Sequence, residues 1–146
     1  MVAQRFVTVD LIGGLALFGV GMLLVSAGLA LLLEDEDAVK LRTTLVGMLG
    51  AALFLGDGLS FRGRKLAARL ARYVPYTDVD PARLGVGMGV LGLTLAGLNL
   101  LVAWTASTDV WLFYTTFVDF VLAVVLVLAV FRYARGKTGA MEARLE

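Results

Sequence analysis

The chain has 146 residues, of which 60% are hydrophobic and only 17% charged, with a mean hydropathy of +0.88. That balance excludes an ordinary soluble domain and points to lipid as the solvent. The sequence has no cysteine and no histidine, so disulfides, thiolate nucleophiles, haem or zinc held by His and Cys, and imidazole catalysis all lose their usual residues. No cofactor, metal or catalytic constellation is expected.

Four apolar stretches follow in chain order, at 11–33, 44–61, 84–106 and 110–131, and only Asp57 and Asp119 place formal charge inside them. At 1.5 Å rise per residue they extend about 34, 27, 34 and 33 Å, against a hydrocarbon core of about 30 Å. The second is the shortest and is taken from about residue 40. The sequence therefore predicts an all-α integral membrane protein with four transmembrane helices at about 11–33, 40–61, 84–106 and 110–131, forming a single polytopic domain over 1–146. Ser26, Ala27, Gly28 and Ala30 resemble a signal-peptide cleavage region. The apolar run continues through Leu31, Leu32 and Leu33, however, and exceeds a signal h-region, so it reads as a span.

The basic residues are distributed unevenly. Of the 13 Lys and Arg, Arg5, the loop residues Arg62, Arg64, Lys65, Arg69, Arg72 and Arg83, and the tail residues Arg132, Arg135, Lys137 and Arg144 share one side. Only Lys40 and Arg42 fall on the other, beside the acidic run Glu34, Asp35, Glu36 and Asp37. The positive-inside rule places both termini in the cytoplasm of a cell-membrane protein. The acidic run lacks the glycine and the alternating spacing of a calcium loop and reads as solvated.

Between the second and third spans, Leu66, Leu70 and Val74 recur at helical spacing while Arg62, Lys65, Arg69 and Arg72 take other faces. A basic interfacial helix is predicted at about 62–74, ended by Pro75, with Tyr73 and Tyr76 at headgroup depth. Its expected contacts, through Arg62, Arg64, Lys65, Arg69 and Arg72, are anionic lipid headgroups or a protein partner. Nucleic acid is not expected, because aromatic interleaving is sparse. Asp80 before Pro81 is a cap and first-turn pair that opens the third span.

Small residues four apart, namely Gly85 and Gly89, Gly92 and Ala96, Gly47 and Ala51, and Ala52 and Gly56, predict close helix packing, either within one bundle or across a homodimer. The turn Ser107, Thr108, Asp109 is so short that the third and fourth spans must be antiparallel neighbours. Trp104 and Trp111 then mark the outer interface, with Arg132 and Tyr133 at the inner one.

Asn99 lies about 10 Å below the outer end of the third span and Asp119 about 13 Å below that of the fourth. The expected intramembrane polar site is therefore an Asn99 amide donating to Asp119, joined by Thr115 one turn before it. With no cation at that depth, Asp119 is either neutral or facing water inside the bundle. It reads as a structural acid locking the hairpin or as a proton or cation site. Asp57, about 6 Å from the cytoplasmic end of its span, is expected to form a salt bridge with Arg62 or Arg64.

Over about residues 42–117 the sequence resembles the intracellular septation protein A family. The likeness rests on Leu84, Asn99, the hairpin Ser107, Thr108, Asp109, Val110 and Trp111, then Phe113, Tyr114 and Phe117, preceded by a span and a basic helix. Thr115 and Val118 stand where the family typically has lysine and glycine. The resemblance implies a non-enzymatic role in envelope integrity and septation, contact with division or envelope membrane proteins, and Asn99, Asp109 and Trp111 as fold-defining residues. The alternative is a small dimeric ion or proton-coupled channel or transporter using Asp119 and Asn99.

Overall fold

The computed structural model describes residues 15–32, 35–74 and 76–135. The expectations that rest on Arg5, Leu33, Glu34, Pro75, Lys137 and Arg144 lie outside these residues. The order of elements is α1 (Leu15–Leu32), α2 (Glu36–Ser60), α3 (Ala67–Ala71), α4 (Pro81–Thr105), α5 (Thr108–Phe113), a π-helical turn (Tyr114–Val118) and α6 (Asp119–Ala134). The segment from α5 to α6 is one continuous helix of 27 residues. Three helices, Asp37–Ser60, Pro81–Thr105 and Thr108–Ala134, are long and apolar enough to cross a membrane, and α1 is a shorter apolar helix. The all-helical expectation holds, with α2 beginning several residues before the apolar run, directly after Asp35 in extended conformation.

The cap signals act as chemistry requires. The Asp80 carboxylate accepts the Ala82 N–H at 2.9 Å with Pro81 at the first helical position. Ser107 caps α5, accepting from the Val110 N–H at 3.5 Å, so only Ala106 and Ser107 separate α4 from α5. The two helices return antiparallel, as the short turn dictates.

Helix α4 is the centre of the molecule, packed on one side by α2 and on the other by α6. Glycine makes the first seam possible. A Cβ on Gly85 would stand 2.9 Å from the Gly58 Cα, and one on Gly92 would stand 2.9 Å from the Ala51 Cβ. Gly89 faces Leu55, Gly47 faces Ala96, and on the opposite side Gly87 faces Val130. Where lipid tails are as apolar as leucine, such close approach holds helices together by dispersion. The small-residue pairs thus serve packing within the chain, except Ala52 and Gly56, of which the first is exposed and the second has open space around it.

At the end of the molecule where α3, α4 and α6 meet, Ala67, Leu84 and Ala134 are fully buried, with Leu70, Ala71, Val79, Met88, Val130 and Phe131 packed on them. The backbone links this region as well. The Asp80 N–H donates to the Ala134 carbonyl at 2.9 Å, and Val79 pairs with Arg135 in an antiparallel bridge. Elsewhere, large apolar side chains such as Leu23, Leu24, Phe120, Val121 and Leu128 point outward, the arrangement expected of helices solvated by lipid.

The basic helix is shorter than its hydrophobic spacing predicts. Only Ala67–Ala71 is α-helical, because Arg62 (φ 51°) and Gly63 (φ 71°) hold the left-handed conformation, which interrupts any helix started at 62.

Candidate functional site

The buried polar groups form two separate constructions. The first joins α2, α4 and α5. Asn99, on α4, is 4% exposed. Its amide nitrogen donates to the Thr44 hydroxyl oxygen at 2.8 Å and to the Lys40 carbonyl at 3.3 Å, both on α2. Its Oδ1 accepts the indole N–H of Trp111 at 3.0 Å. An asparagine side chain offers two donors and two acceptor lone pairs, so three of its four hydrogen-bonding capacities are met by three different side-chain or backbone groups. Thr115 extends the arrangement along its own helix, its hydroxyl donating to the Trp111 and Leu112 carbonyls at 3.1 Å.

This geometry corrects the expected pairing of Asn99 with Asp119. Both amide hydrogens of Asn99 are engaged by α2, which leaves no donor for Asp119. The Asp119 carboxylate instead faces the Tyr114 hydroxyl at 3.5 Å, across the π turn. Thr115 hydrogen-bonds neither Asn99 nor Asp119, so the three residues do not form one hydrogen-bonded site. Trp111, expected at the interface beside Trp104, turns inward and is 7% exposed, whereas Trp104 is 76% exposed. Asp109 lies in the first turn of α5. Thr44 and Lys40 were missed, since a threonine at the start of an apolar run carries no signal until its helix partner is known. The inward turn of Trp111 was in principle readable, because a buried indole N–H needs an acceptor and Asn99 is the only amide side chain in the spans.

The second construction is centred on Asp57, 4% exposed near the end of α2. Its carboxylate accepts the backbone N–H groups of Lys65, Leu66 and Ala67 at 3.0, 2.8 and 2.8 Å. Its carbonyl accepts the N–H groups of Phe61 and Gly63 at 3.0 and 2.8 Å. Among the described residues no ion pair joins Asp57 to Arg62 or Arg64, contrary to expectation. A chain turning back on itself directs its amides inward and its long cations outward, so the acid satisfies backbone rather than guanidinium. The same turn sets Gly63 against the Pro81 carbonyl, where no Cβ fits, and so docks the loop on the start of α4.

Around this brace, Arg62, Arg64, Lys65, Arg69 and Arg72 are all exposed. The Lys65 ammonium sits 3.7 Å above the centroid of the Phe61 ring, a cation–π contact. Ser60, Phe61, Arg62, Arg64 and Lys65 line an open cavity of about 340 Å³. Nearby, Arg135 pairs with Asp78 at 3.1 Å and stacks 4.5 Å from the Tyr76 ring centroid.

Long apolar helices, lipid-directed side chains and polar groups spent on holding helix to helix define an all-α membrane protein. The chain belongs to the intracellular septation protein A family, whose model matches residues 2–138. It is similar to the inner membrane-spanning protein YciB of Cupriavidus taiwanensis, 30% identical over 105 residues, which are 72% of this chain and 59% of that relative. The YciB protein of Ralstonia pickettii is 29% identical over 121 residues, 83% of this chain and 62% of the relative. That of Laribacter hongkongensis is 30% identical over 108 residues, 74% and 61%. The chain thus spans about three fifths of the length of the relatives it matches. No solved structure matches it.

Proposed function

We propose that the protein crosses the cytoplasmic membrane four times with both termini inside the cell. In this reading it supports envelope integrity and septation without catalysis, through contacts with membrane proteins and anionic lipid headgroups. Orientation rests on the basic excess of the 62–83 loop and the tail over Lys40 and Arg42. The observation that carries the reading is the use made of polar side chains inside the helices. Asn99 bonds both Thr44 and Trp111, and Asp57 bonds backbone, so each serves to hold a surface in shape. Membership of a septation family names the process such a surface serves.

The test is capture from the exposed loop. A photocrosslinker placed at Arg69 or Arg72 in living cells should trap division or envelope membrane proteins, in a pattern lost when the chain is replaced by a scrambled loop. Capture of lipid alone would remove the protein-contact half of the reading.

A further inference from the structure

We infer that the cavity beside the Asp57 brace is a phosphate-binding site, and that its occupant is the headgroup phosphate of an anionic phospholipid. The inference deepens the lipid-contact reading given above and rests on it. Positive charge near a membrane is ordinary, but here three cationic residues, Arg62, Arg64 and Lys65, line one cavity together with Ser60 and Phe61. The volume of about 340 Å³ falls at the lower end of the range of small-ligand sites, about 300 to 1,000 Å³, enough for a phosphate with its ester arm. Arg69 and Arg72, equally basic and only a few residues on, do not line it.

The cavity is also built in advance. Five hydrogen bonds from loop N–H groups converge on the side chain and carbonyl of Asp57, and left-handed backbone at Arg62 and Gly63 fixes the direction in which the cations leave the loop. Lys65 is held over Phe61. Order of this kind lowers the entropic cost of gathering three long side chains about one anion. The acid that orders the loop is buried and bonded to amides, and among the described residues no carboxylate forms an ion pair with Arg62, Arg64 or Lys65. Three cations against one inward carboxylate leave a net attraction for an anion at the level where the helix α2 ends. Headgroup phosphates lie at that level.

The experiment uses the full chain in detergent micelles, titrated with phosphatidylglycerol or phosphatidylcholine, with bound lipid counted by native mass spectrometry. Two variants remove equal charge: Arg62→Gln with Arg64→Gln, and Arg69→Gln with Arg72→Gln. The unaltered chain should prefer phosphatidylglycerol about tenfold or more, the first variant should lose that preference, and the second should keep it within about threefold. Equal losses in the two variants mean diffuse attraction and overturn the site, as does an unaltered chain without preference. Displacement of the lipid by millimolar inorganic phosphate overturns the lipid assignment in favour of a soluble phosphate. Unchanged tryptophan emission, from Trp104 and Trp111 together, in both variants shows that they are folded. Crosslinking to membrane proteins is read independently, so partner capture that persists without lipid preference overturns this site alone.

Discussion

The indole N–H of Trp111 and the side-chain oxygen of Asn99 meet at 3.0 Å, closing a bond between the two arms of the α4–α5 hairpin. Because the Asn99 amide is at the same time committed to Thr44 and Lys40, one side chain ties three helices. Replacing Asn99 by leucine leaves the indole N–H without its acceptor in an apolar setting. The expected loss is about 1 to 3 kcal/mol, measured by denaturant unfolding in micelles, with a shift in Trp111 emission. A double-mutant cycle with Thr44→Val should return a coupling of about 0.6 to 1.7 kcal/mol. Additive effects would show that the bond contributes nothing.

Asp119 provides the contrast. Its carboxylate meets the Tyr114 hydroxyl at 3.5 Å, and among the described residues it makes no hydrogen bond with Asn99. Asp119→Asn should change unfolding free energy by less than about 0.5 kcal/mol and leave Trp111 emission where it was. A change as large as that of Asn99→Leu would restore the single polar site that the sequence suggested.

Asp57→Ala should loosen the 61–71 segment while α2 and α4 stay packed. Three backbone amides lose charged acceptors, and each such bond contributes about 1.5 to 3 kcal/mol, so exchange at Lys65, Leu66 and Ala67 should quicken by at least about tenfold. Trypsin cleavage after Arg62, Arg64 and Lys65 should rise in parallel. Uniform loosening across all helices would show instead that Asp57 supports the whole bundle.

The glycines divide into close-packed and open positions. Gly85→Ala drives a methyl group into the Gly58 backbone and should cost about 1 to 3 kcal/mol. At Gly97 nothing lies within 4 Å, so Gly97→Ala should be neutral or gain up to about 1 kcal/mol of helix propensity. Thermal unfolding of the two variants side by side decides the matter, and an equal loss at both positions would contradict the α2–α4 seam.

The long helices and the starts of α4 and α5 were legible because the signals are local: a long apolar run, an Asp80–Pro81 cap, a Ser107 turn too short for anything but a hairpin. The Asp57 brace was not, since a carboxylate bound to amides eight to ten residues on leaves no spacing rule, and electrostatics favoured the nearby arginines. The partners of Asn99 were hidden for a different reason. Depth along a hairpin ranks the residues of α4 and α6 but is silent about α2, whose position against α4 is decided by glycines packing on glycine, alanine and leucine. The π turn at Tyr114–Val118 also shifts what lies beyond it relative to an ideal helix, and no composition marks it.

The tie through Asn99 also imposes an order on biosynthesis. A chain made from its N-terminus places α2 in the bilayer while α4 has yet to be translated, so the Thr44 hydroxyl must for that interval back-bond to its own helix or find water. The carbonyl of Asn99 waits in turn for the indole twelve residues behind it. The three-helix tie therefore closes late, after the hairpin has turned, and a ribosome stalled with Asn99 inserted but Trp111 still in the exit tunnel would hold a membrane intermediate whose central amide oxygen still lacks its donor.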